Sequence, residues 1–111
     1  SLQLTTKSAG DINLLIRANY IIAHLFGPGD LTLAGSAGNF YCNFFAGTGF
    51  AYCDKLLTGY TFFSSSTTGD CYVTTSGVLD IVIYKNGNIY YTGSPAVIHS
   101  KTYSKGQLIH E

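Results

Sequence analysis

Six glycines recur along this chain of 111 residues at nearly fixed intervals: Gly10, Gly29, Gly49, Gly69, Gly87 and Gly106 are 19, 20, 20, 18 and 19 positions apart. In five of the six, a polar or acidic residue and then an aliphatic residue or Cys follow, as in Gly10-Asp11-Ile12, Gly29-Asp30-Leu31 and Gly69-Asp70-Cys71. Gly49-Phe50-Ala51 departs from the pattern. A period near 20 over a whole chain is the mark of a solenoid, in which each repeat is one supersecondary unit stacked on its neighbour.

Each repeat can be read in register from its glycine. Two positions on stand Ile12, Leu31, Ala51, Cys71, Ile89 and Leu108; four positions on stand Leu14, Leu33, Cys53, Val73, Tyr91 and His110. Before the glycine, alternate positions are apolar too, as in Ile21, Ala23 and Leu25 and again in Leu79, Ile81 and Ile83. Alternate residues of a strand share a face, so each coil carries an apolar-in strand on either side of its glycine. The glycine is expected at the corner, where a positive φ is open to a residue without a β-carbon. A meander would pair consecutive strands antiparallel. The recurrence of residue types at one offset instead predicts direct stacking. The expected fold is all-β, a right-handed parallel β-helix of about six coils in a single domain over residues 1–111.

Composition narrows the function classes. Hydrophobic residues make up 46% and charged residues 11% of the chain, which excludes intrinsic disorder. The formal net charge is zero, so neither a nucleic-acid footprint nor a polybasic membrane patch is present. No apolar run reaches the roughly 18 residues of a membrane helix, so no membrane insertion is expected. The chain opens on Ser1 rather than Met, which suggests a processed form or a piece of a longer product.

The segment from Leu79 through Gly87 and Tyr91-Thr92-Gly93-Ser94-Pro95 to Val97 resembles the closing repeat of the auto-transporter adhesin head domain, also called the GIN domain. Gly27-Pro28-Gly29-Asp30-Leu31 and Gly47-Thr48-Gly49 are similar to the repeated turns of that family. Lys85 stands where the family's closing turn has its first glycine, and Phe50, Asn88 and Gln107 replace the turn Asp. The resemblance implies a β-helical, exported domain of the bacterial cell surface or periplasm. It also implies further coils N-terminal to these, so that this chain is the C-terminal part of a longer head domain. It carries no catalytic residues.

Candidate chemistry is sparse. Cys42, Cys53 and Cys71 are odd in number and lack CxxC spacing, so they read as small core hydrophobes, with a Cys53–Cys71 bridge between coils as the alternative. Asp11, Asp30 and Asp70 recur at one corner, where an Asp bonding its own backbone is favoured over a Ca²⁺ ladder. His24, His99 and His110 sit at unrelated offsets, and no metal or cofactor is expected. Glycoside cleavage needs a carboxylate with a second acid or a base converging on one face. The acids and bases are scattered instead, and Asp54 and Lys55, as strand neighbours, are expected on opposite faces, so the protein is read as a non-enzyme.

The aromatic residues define two candidate surfaces. Counting back from each glycine puts Tyr20, Phe40 and Tyr60, then Ile22, Cys42 and Phe62, with Phe44 beside them, on the outside as an apolar interface. Tyr52, Tyr72 and Tyr90 form a second outward stripe, a candidate ligand-binding platform for sugar rings. Two functions follow: a non-catalytic adhesion or ligand-binding module of the cell envelope, or a structural self-assembly domain. The expected partners are a second copy, another envelope protein or a carbohydrate.

Overall fold

In the computed structural model, which describes residues 2–6, 10–27 and 29–111, every element is a strand. In chain order these are β1 (Leu2–Thr6), β2 (Ile12–Phe26), β3 (Leu31–Gly47), β4 (Ala51–Thr67), β5 (Cys71–Ile83), β6 (Ile89–Thr92), β7 (Val97–Thr102) and β8 (Leu108–His110). All pairings are parallel, β1 to β2 to β3 to β4 to β5, with β6 and β7 both following β5 and β8 following β6. β2 to β5 each run through most of a coil, and β6 with β7 makes another. The solenoid therefore has about five turns, slightly fewer than expected, because six corners bound only five intervals.

The register follows the offsets of the sequence. Ile12, Leu31, Ala51, Cys71, Ile89 and Leu108 are paired in succession, and the four inner members of that column are fully buried. Opposite them run Ile21–Phe40–Thr61–Leu79, Ala23–Cys42–Phe63–Ile81 and Leu25–Phe44–Ser65–Ile83. The inner sides of these two walls form one core, with Phe63 packed 6.4 and 6.3 Å from the rings of Phe40 and Phe44. Burying each large apolar side chain contributes roughly 1.5–3 kcal/mol, and the repeated burial offsets the ordering of the coils.

The reason for the glycine period differs from the one expected. Gly49, Gly69, Gly87 and Gly106 have no positive φ; near the corners that conformation falls instead at Gly27 (68°) and Gly47 (72°). What the period enforces is close approach. A β-carbon on Gly69, Gly87 or Gly106 would lie 2.3, 2.0 or 2.3 Å from the carbonyl oxygen of the repeat glycine one coil earlier. Gly69, Gly87 and Gly106 thus stand in a column too tight for any side chain.

The expected outward placement of Phe40, Cys42 and Phe44 is overturned: all three are fully buried in the core. The cause is one extra residue in β3. Phe44 pairs with Ser65 while Gly47 pairs with Thr67, so three steps on β3 match two on β4. Side chains alternate with a period of two, so one added residue reverses every face read backward across it. Counting forward from Gly29 avoids the bulge and aligns Phe40 with Ile21.

The three cysteines are free and buried. Burial pushes the Cys71 thiol up to about 12 and those of Cys42 and Cys53 well above their usual value. They pack as small hydrophobes.

Candidate functional site

On the outside of the wall that follows each glycine, Thr32, Tyr52, Tyr72 and Tyr90 pair in succession, one per coil. Parallel in-register pairing repeats every strand spacing of about 4.8 Å, close to the thickness of an offset aromatic stack. The rings use that coincidence. Tyr52 and Tyr72 have centroids 5.5 Å apart and planes within 7° of parallel; Tyr72 and Tyr90 are 5.1 Å apart at 15°. Phe50, two residues before Tyr52 on the same face, lies 6.2 Å from it and within 7° of parallel. Phe50 and Tyr52 are exposed by 37% and 38%, whereas Tyr72 and Tyr90 are half-buried by their neighbours. Loss of water in the stack raises the Tyr72 phenol above its usual value, with Asp70 adding to the effect. The Tyr72 hydroxyl therefore stays neutral near pH 7, able both to donate and to accept.

From coil to coil the tyrosine series ends at Tyr52, because its partner in the preceding coil is Thr32. A recess of about 300 Å³ opens there, lined by Thr32, Leu33, Tyr52, Asp54 and Lys55. Asp54 and Lys55 do not point to opposite faces as expected; both are exposed. β4 bulges at this point: Cys53 pairs with Val73 but Leu57 with Thr74, and Thr32 with Tyr52 but Ala34 with Lys55. The bulge interrupts the alternation and brings one carboxylate and one ammonium to the same rim. A bulge of this kind has no signal in residue types, which is why strand alternation missed the recess.

The corner acids do not bond their own backbone. Each reaches one coil forward: Asp11 accepts from the Asp30 amide (2.8 Å), Asp30 from Phe50 (3.0 Å), Asp70 from Asn88 (3.0 Å) and Asn88 from Gln107 (2.9 Å). They tie successive coils together. His24 accepts from the Asn43 amide group at 3.0 Å if its facing nitrogen is unprotonated, and His110 stacks on Tyr91 at 4.6 Å. Among the described residues, no three His, Cys, Asp or Glu side chains gather as metal ligands do.

The residues of the second predicted surface divide between the outside and the core. Tyr20, Ile22, Tyr60 and Phe62 are outward and half-buried, without Phe40, Cys42 and Phe44. In the place of those three stands Tyr41, which the backward count had turned inward. Its ring lies 5.2 Å from Tyr20, 5.4 Å from Tyr60 and 6.3 Å from Phe62. Tyr60 donates to Asp80 at 3.5 Å.

The family model described as "Putative auto-transporter adhesin, head GIN domain" matches residues 1–95. This chain belongs to that family. Among solved structures, the GIN-family coils resemble a crystal structure described as a putative adhesin from Bacteroides fragilis, with a TM-score of 0.58 and 16% sequence identity. The similarity covers 98% of this chain and 56% of that one, so this GIN-family chain spans a little over half of the neighbour's length. At that identity the likeness establishes the solenoid fold. No curated protein sequence matches the chain.

Proposed function

We propose that this GIN-family chain is a non-catalytic adhesion module of the bacterial cell envelope, exported to the surface or periplasm, and that the Phe50–Tyr52–Tyr72–Tyr90 ladder meets its ligand. The observation that carries the reading is the ladder itself. Four aromatic rings stand outside the core, with parallel planes, on a wall fixed by continuous strand pairing. Such rings supply large contact area at little conformational cost. Family membership supports export and adhesion. The recess beside Tyr52 holds one carboxylate, whereas glycoside hydrolysis generally uses two, which favours binding over cleavage. The chain is read as the C-terminal coils of a longer head domain, in keeping with its coverage of just over half of the Bacteroides neighbour.

The test is retention of beads coated with the purified domain on immobilised mucin and on cultured cell layers. Replacing Tyr52, Tyr72 and Tyr90 together by Ser should abolish retention while the far-ultraviolet circular dichroism stays that of a β-protein. Undiminished retention by the folded triple variant would overturn the reading.

The Tyr20–Tyr41–Tyr60–Phe62 cluster favours a second reading, self-assembly through the opposite outer wall. Sedimentation equilibrium decides it. A dimer that dissociates on Tyr41→Ser with Phe62→Ser supports it, and a monomeric wild-type chain removes it.

A further inference from the structure

We infer that the recess beneath Tyr52 is a subsite for a single uncharged pyranose ring of a glycan, an inference that rests on the adhesive reading above. The neighbours of Tyr52 decide the geometry. Tyr72 stacks on it from the next coil and Phe50 lies 6.2 Å away, but in the preceding coil the register places Thr32, which is too short to continue the stack. Beside Thr32 and Tyr52 lies the recess, whose volume of about 300 Å³ lies at the small end of the range for ligand pockets.

The lining matches the two-sided chemistry of a hexose. A pyranose presents a patch of C–H bonds on one face and hydroxyls around its rim. Tyr52, exposed on the outer wall, offers apolar surface for the patch, while Thr32, Asp54 and Lys55 offer an acceptor-donor, an acceptor and a donor for the rim. The β4 bulge is what makes this possible, since regular alternation would send either Asp54 or Lys55 into the core. Other ligand classes fit less well. An anion would face Asp54 beside Lys55, with no net positive charge to hold it. A purely apolar ligand would strip water from both charges and return no hydrogen bond. A divalent cation would find only one carboxylate among the lining residues.

The experiment is saturation-transfer NMR on the purified chain with the methyl glycosides of glucose, galactose, mannose and N-acetylglucosamine. At least one should receive saturation chiefly on the protons of a single ring face. Tyr52→Ala should weaken that binding at least tenfold. Thr32→Tyr should do the same by extending the stack into the recess, with thermal unfolding no lower than wild type, which separates a lost site from a lost fold. Two outcomes overturn the inference: no transfer to any of the four glycosides at tens of millimolar, or binding unchanged in both variants. The bead assay separates this failure from that of the wider reading. Thr32→Tyr beads that adhere like wild type, while the triple tyrosine variant does not, would sink the sugar subsite and leave the adhesive ladder standing.

Discussion

The carboxylate of Asp30 accepts a hydrogen bond from the backbone amide of Phe50, the residue that occupies its own position one coil later, at 3.0 Å. The bond joins neighbouring coils at the corner, where the side-chain and backbone ladders meet. Asp30→Ala should therefore destabilise the domain by about 1 kcal/mol, whereas Asp30→Asn, which keeps an acceptor oxygen, should lose less than half of that. Urea titration of the two variants checks it, and equal losses would show that the charge rather than the bond matters.

The glycine column predicts a sharp contrast between two Gly→Ala replacements. At Gly87 the new β-carbon would lie 2.0 Å from a backbone oxygen, so that Gly87→Ala should cost more than about 3 kcal/mol or prevent folding. At Gly27 nothing lies within 4 Å, and Gly27→Ala carries only the strain of a positive φ, about 1 kcal/mol. Thermal melts of both variants give the comparison; similar losses would argue against the column.

The spacing of the glycines made the fold legible, because residues one coil apart are neighbours and repeat the same environment. The column from Ile12 to Leu108 could be read without any structure. The face assignments failed at two places where residues are added to the alternation: one after Phe44, and around Asp54 one relative to β3 and three relative to β5. Residue type carries no mark of such a bulge, since Phe and Tyr serve both inside and outside a wall. The tyrosine stripe was legible because its members lie within three residues of their glycines, ahead of either irregularity. The recess was not, because it depends on one of them.

The corrected register makes adjacent residues behave differently. Phe40 is buried to 1% exposure while Tyr41 lies outside. Phe40→Ser should cost about 3–5 kcal/mol, as large-to-small core changes do, and Tyr41→Ser no more than about 1 kcal/mol. The reverse order in chemical denaturation would restore the outward placement of Phe40.

Stability should fall in alkali. The Cys71 thiol has an ordinary value of 9.0 and, through burial, a folded value of about 12. Between those limits the unfolded chain has given up the proton and the folded chain has kept it. Below about pH 9 the group contributes no pH dependence; above it, stability declines by up to about 1.4 kcal/mol per pH unit from this residue alone. Denaturation at pH 8 and 10.5 should show the drop, and Cys71→Ala should make it shallower. All three thiols should react with a disulfide reagent only after unfolding, since the thiolate is the reactive form.

The β4 bulge has a consequence beyond the recess it shapes. Glycines on one side and paired core strands on the other hold the coils in step, so the extra residues around Asp54–Lys55 are absorbed before Tyr60, and from Tyr60 to Ser65 the pairing with β5 is regular again. The scaffold thus separates what must repeat from what is free to vary. A single coil can gain, lose or exchange side chains at that bend, and a binding surface built there can be rewritten coil by coil while the stack beneath it stays the same.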